Sequence, residues 1–106
     1  MIKKLRDIGR CAGKKSVTIP IHDFPYVTAG IQVNKIKEEC KELIDAYSYE
    51  NDDRTIEEAT DLIQATFNLI EMLSPNGVHE ALQKHSEKMA ERGYAVKYEL
   101  DILREI

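Results

Sequence analysis

Cysteine is scarce in this 106-residue chain, and long apolar runs and an excess of positive charge are missing. Its two cysteines, Cys11 and Cys40, form no C-x-x-C pair, and neither has a histidine at metal-ligand spacing. This excludes a disulfide-stapled scaffold and a zinc finger, and reads as reduced thiols in a cytoplasmic protein. No run of eighteen apolar residues occurs, so no membrane partner is expected. The basic start, MIKKLRDIGRCAGKK, lacks the apolar stretch of a signal peptide. The net charge is −4, whereas a general nucleic-acid binder needs a basic surface to displace counterions. There is no internal repeat and no low-complexity tract.

What remains is a composition of 42% hydrophobic and 32% charged residues, which fits a folded domain and excludes wholesale disorder. The length allows one domain, 1–106, with an arm (1–27), a helical core (28–94) and a tail (95–106). A short helix through Ile2, Leu5 and Ile8 is expected, broken by Gly13. Val17, Ile19 and Ile21 alternate, but Pro20 argues against a central strand. His22, Asp23 and Pro25 suggest a turn, so the N-terminal segment reads as an extended arm packed on the body or on a neighbouring subunit.

From about Thr28 to Tyr49 the apolar period becomes helical: Ile36, Cys40, Leu43, Ile44 and Tyr47 share one stripe. A second helix is expected from Thr55, a good N-cap, through Ile56, Ala59, Leu62, Ile63, Thr66, Phe67, Leu69, Ile70 and Leu73. Its apolar arc is wide enough for the centre of a bundle or for a dimer interface. Ser74-Pro75-Asn76-Gly77 stops it. A third helix over about 78–92 carries Val78, Leu82, His85 and Met89 on a narrower stripe and ends before Gly93. Short connectors favour antiparallel neighbours. The expected fold is an all-α antiparallel helical bundle completed by oligomerisation, with an N-terminal extended arm.

The chemistry concentrates between Glu38 and Asp61. The segment Glu38-Glu39-Cys40-Lys41-Glu42 is followed, after fifteen residues, by Glu58-Ala59-Thr60-Asp61. Glu39 and Glu42, and again Glu58 and Asp61, are three apart, which places each pair roughly 60° apart on one helix face. Two such pairs on antiparallel helices gather four oxygen donors, an environment suited to Mg²⁺ held jointly with substrate phosphates. Against this stand ordinary readings: acidic helices are usually solvated, and Thr55-x-x-Glu58 has the form of a capping box. Asp61 has no such explanation, since aspartate is a poor helix former and sits here beside an apolar arc.

This two-part acidic motif resembles the EExxE…ExxD signature of the MazG-like all-α nucleoside triphosphate pyrophosphohydrolases. That superfamily also includes the dimeric dUTPases and phosphoribosyl-ATP pyrophosphatase. The stretch from Leu82 to Tyr94, ending Arg92-Gly93-Tyr94, is similar to the Lys/Arg-bearing segment that follows in many members. The likeness spans roughly residues 28–94. One departure is Thr60, where members often carry a glycine that permits close helix packing.

The resemblance implies that Glu39, Glu42, Glu58 and Asp61 ligate Mg²⁺, or Mn²⁺ in its place, with Glu38 as an auxiliary acid. It implies hydrolysis of a nucleoside triphosphate to monophosphate and pyrophosphate by a homodimer or homotetramer. Lys84, Lys88 and Arg92 then become candidate phosphate contacts, against the alternative of a solvated face paired with Glu80, Glu87 and Glu91. Asn68 is a candidate for the sugar or base, or else a satisfied polar core residue. Tyr94 and Tyr98 stack on a base or serve as packing aromatics, and His85 reads as a packed histidine. Two other functions remain open: hydrolysis of a different nucleotide such as phosphoribosyl-ATP, and a non-catalytic oligomerisation or regulatory module.

Overall fold

The computed structural model describes residues 18–74 and 76–101. Among them are three α-helices and no strand: α1 (Ala29–Ser48), α2 (Asp52–Leu73) and α3 (Gly77–Glu91). The all-α expectation is met. The short helix expected near Ile2–Ile8, and residues 102–106 of the tail, lie outside the described residues. The chain divides into two compact units, Pro20–Ala81 and a second that holds the chain from Leu82 onward.

Local chemistry explains each helix boundary. Thr28 caps α1, its Oγ1 accepting from the Ile31 N–H at 3.2 Å. At the other end the Glu50 N–H donates to the Tyr47 carbonyl and the Asn51 N–H to the Ala46 carbonyl, the paired bonds of a Schellman motif. Glu50 takes the left-handed conformation that this motif demands, φ +54°, which glycine would adopt without strain. Asn51 then turns directly into the cap of α2, with Oδ1 accepting from the Arg54 N–H at 3.0 Å. Asp52 and Asp53 follow in the first turn, where the helix dipole favours negative charge.

The second helix therefore starts earlier than Thr55. The Thr55 N–H already donates to the Asn51 carbonyl within the helix, so the capping box with Glu58 does not form. Asparagine followed by two aspartates outcompetes threonine as a start signal. Glu58 is released from the structural role that the sequence offered it.

The helix α2 ends at Leu73 and α3 begins at Gly77. Gly77 has φ +56°, and a Cβ there would meet the Glu71 carboxylate, which accepts from the Val78 N–H at 2.6 Å and so caps α3 from the preceding helix. The C-terminus of α3 is a second Schellman motif: Gly93 at φ +79° donates to the Ala90 carbonyl, and Tyr94 to that of Met89. Residues 94–101 carry no regular structure. Tyr94, Tyr98 and His85 are exposed, so His85 is not packed on an apolar stripe.

Within Pro20–Ala81 the helices α1 and α2 pack against each other. Gln32 Nε2 on α1 donates to the Ala65 carbonyl on α2 at 2.9 Å, and Glu39 on α1 meets Glu58 on α2. Moving forward on one helix moves backward on the other, so the pair is antiparallel. The buried residues of α1 recur every seven: Gln32, Glu39 and Ala46. On α2, Glu58 and Ala65 repeat the same interval, with Asn68 beyond. That is the heptad seam of two helices crossing at a shallow angle.

This seam is not the apolar stripe read from the sequence. It lies roughly 80° around α1 from that stripe, at 100° per residue. Glu39 sits at its centre, not at its edge. Ile44 and Tyr47 are correspondingly 63% and 72% exposed, and on α2 Ile56 is 65% exposed. Small alanines and polar side chains form the close contact, while bulky apolar residues are left around it.

Residues 18–28 hold no helix or strand. Phe24 to Val27 form a β-turn with Pro25 at its second position, closed by the Val27 N–H on the Phe24 carbonyl at 2.9 Å. The segment is tied to α2 by two bonds. Gln64 Nε2 donates to the Pro20 carbonyl at 2.6 Å, and the His22 N–H to Asn68 Oδ1 at 3.4 Å.

Candidate metal centre

The acidic residues meet where the seam crosses its middle layer. Carboxylate oxygens of Glu39, Glu58 and Asp61 all lie within 4.8 Å of one another. Glu39 and Glu58 are buried, at 5% and 6% relative exposure, and Asp61 faces solvent. Glu42, also exposed, lies within hydrogen-bonding reach of Glu58. The i, i+3 pair Glu58 and Asp61 on α2 thus meets Glu39 across the antiparallel seam, with Glu42 outside this group of three. Glu38 is exposed and is not part of this oxygen cluster.

The electrostatics are those of an acid cluster short of positive charge. The Glu58 carboxyl is raised above its ordinary pKa, first by burial, then by the hydrogen bond to Glu42 and the charges of Glu42 and Asp61; Arg54 opposes the shift. Glu39 Oε1 accepts from Lys35 Nζ at 3.0 Å. Yet Glu39 Oε2 and Glu58 Oε2 are buried and have no hydrogen-bond partner among the described residues. A buried carboxylate oxygen left unpaired is costly, and folded proteins rarely keep two side by side without a cation or proton between them. The donor set is all oxygen, which suits Mg²⁺, Mn²⁺ or Ca²⁺ and disfavours softer metals. The residues present fit a hard divalent cation.

The other candidate residues take different places. Asn68 is buried, and its Oδ1 accepts from the His22 N–H and from Gln64 Nε2 at 3.0 Å, so it fastens the N-terminal segment to α2. Lys84, Lys88 and Arg92 are exposed and belong to the unit that begins at Leu82. Thr60 also faces solvent, its hydroxyl donating to the Ile56 carbonyl at 2.8 Å, and so lies off the seam. Two cations at the cluster escaped the sequence reading, Lys35 and Arg54. Each stands four residues before a buried glutamate, Lys35 before Glu39 and Arg54 before Glu58, and that interval was their signal.

Comparisons with protein families, with curated proteins and with solved structures found no match to this chain.

Proposed function

We propose that the protein is a Mg²⁺-dependent nucleotide pyrophosphohydrolase that converts a nucleoside triphosphate to the monophosphate and pyrophosphate. The observation that carries this reading is the pair of orphaned, buried oxygens, Glu39 Oε2 and Glu58 Oε2, beside Asp61. A helix pair that only needed to fold would gain by replacing them with apolar side chains. Their presence at the seam, in the spacing of the MazG-like motif, supports a cation-dependent reaction of a phosphorylated substrate.

In this reading Glu39, Glu42, Glu58 and Asp61 hold Mg²⁺, with Mn²⁺ as a substitute. A bound ion would supply Lewis acidity and neutralise phosphate charge. The chain supplies the rest. Burial of Glu39 and Glu58 fixes two ligands on rigid helix turns, while Asp61 and Glu42 face the solvent from which substrate arrives. One of these carboxylates, Glu42 in this reading, would orient the attacking water or take its proton. Water oxygen bonds to the α-phosphorus, the bond to the bridging oxygen breaks, and pyrophosphate leaves. Exposed Glu38 contributes only to the field around the site. Oligomerisation to a homodimer or homotetramer covers the bulky apolar residues around the seam.

The test is a pyrophosphate-release assay over the common NTPs and dNTPs, with Mg²⁺ and Mn²⁺ separately. The expected result is monophosphate plus pyrophosphate from a subset of substrates, with turnover of Asp61→Asn lowered by about 100-fold or more. Unchanged turnover in Asp61→Asn removes it from the site. Orthophosphate as the product contradicts the proposed bond cleavage.

A further inference from the structure

Lys35 stands one turn before Glu39 on α1, and the ordinary energetics of helices do not account for the pair. With lysine N-terminal to glutamate, an i, i+4 pair runs in the less favourable sense against the helix dipole. Its two ends also differ. The side chain of Lys35 is 55% exposed and that of Glu39 only 6%. A buried acid is thus held by a cation reaching in from water. The contact satisfies Glu39 Oε1 and leaves Oε2 orphaned. Glu38 and Glu42 also act on the ammonium, so Lys35 sits in the field of the acidic face as a whole.

We propose that Lys35 is the resident counter-ion of the cation site: it neutralises Glu39 while no divalent cation is bound, and swings outward when one binds to take up a phosphate oxygen of the substrate. This rests on the reading of the site given above. A divalent cation on the Glu39 carboxylate would repel an ammonium 3.0 Å from one of its oxygens. The ammonium is already half in water, so its release costs little. Lysine binds phosphate as a point charge on a flexible four-carbon stem, which lets one side chain serve both positions. Asp61 and Glu42 mark the open side of the cluster, and Lys35 approaches from solvent as they do.

Lys35→Met keeps the stem and removes the charge. Full-length wild type, Lys35→Met and Lys35→Arg are titrated with Mg²⁺ alone, followed by melting temperature and by calorimetry. Metal-free Lys35→Met is expected to melt lower than wild type, to gain more on saturation, and to bind Mg²⁺ about two- to fivefold more tightly. With substrate, its KM is expected to rise about tenfold while kcat changes little, and Lys35→Arg to recover most of that loss. A merely structural lysine would lower the metal-free and metal-bound melting temperatures equally and leave KM alone, which overturns the proposal. Wild-type protein that takes up no Mg²⁺ overturns both this inference and the metal-centre reading. Wild-type protein that binds Mg²⁺, beside a Lys35→Met variant with unchanged affinity and KM, overturns this inference only.

Discussion

The inside and the outside of the α1–α2 pair have exchanged their usual contents. The seam buries Gln32, Glu39, Glu58 and Asn68, with Ala46 and Ala65 as its small apolar contacts. Around it Ile31, Ile44, Tyr47, Ile56, Ile63 and Leu73 are exposed. Single exposed apolar residues are ordinary, but buried polar groups call for an explanation. Gln32 and Asn68 have one, in their hydrogen bonds to Ala65 and to Gln64 and His22. Glu39 and Glu58 each retain an orphaned oxygen. The helix pair thus leaves two kinds of surface incomplete: an oxygen cluster short of positive charge, and an apolar rim short of contacts. The proposed function fills the first with Mg²⁺ and the second with another copy of the chain.

The largest effect that would sharpen this contrast comes from the seam. Glu58→Gln keeps the shape and removes the charge. It is expected to raise the melting temperature of the metal-free protein and to abolish stabilisation by Mg²⁺. A variant less stable than wild type without metal would show that the charged Glu58 is satisfied as it stands.

The same residue predicts a pH dependence. Its folded pKa is raised above the ordinary 4.5, so the folded state holds the proton more tightly than the unfolded state. Stability from this group is therefore present in acid and is lost as pH rises from about 4.5 through the raised folded value. Thermal melts of the metal-free protein across that window should show a decline that Glu58→Gln lacks.

On the rim the expected effect is on assembly. Ile44→Glu combined with Tyr47→Ser places polar groups where apolar ones face outward. Light scattering is expected to show a mass falling to the 12.2 kDa of one chain, with the helical content kept. Loss of folding instead of loss of assembly would mean that the rim belongs to the monomer's own core.

The smallest effect lies off both surfaces. Glu50→Gly relieves the left-handed conformation at the end of α1 and is expected to stabilise the protein by about 1 kcal/mol. Mg²⁺ affinity and assembly should be unchanged. A change in either would show that the helix linkage is coupled to the site.

The sequence made helices and their ends legible where local chemistry decides them. The helical period begins at Thr28 as expected, Gly93 ends the last helix as expected, and the stop after Leu73 is real. The convergence of Glu39, Glu58 and Asp61 was also legible, because i, i+3 spacing and a short connector leave few other arrangements. The rotation of the helices about their axes was not. Apolar periodicity pointed to Ile44 and Tyr47, yet the chain packs through Gln32, Glu39 and Ala46, since small and polar residues permit the closest approach. The start of α2 was misplaced because Thr55-x-x-Glu58 imitates a capping box, while Asn51 with Asp52 and Asp53 makes the stronger cap. Lys35 stayed hidden because an i, i+4 ion pair looks like surface decoration until one partner is known to be buried.

In the proposed reading the seam is built around a divalent cation, and this can be tested without any nucleotide. The melting temperature of wild-type protein is followed during titration with Mg²⁺ and with Mn²⁺, beside Glu58→Gln. A saturable rise in wild type that is absent from the variant is the predicted result, because a ligand that binds only the folded state stabilises it. Equal melting temperatures with and without either ion, in a protein that remains folded, would contradict the account.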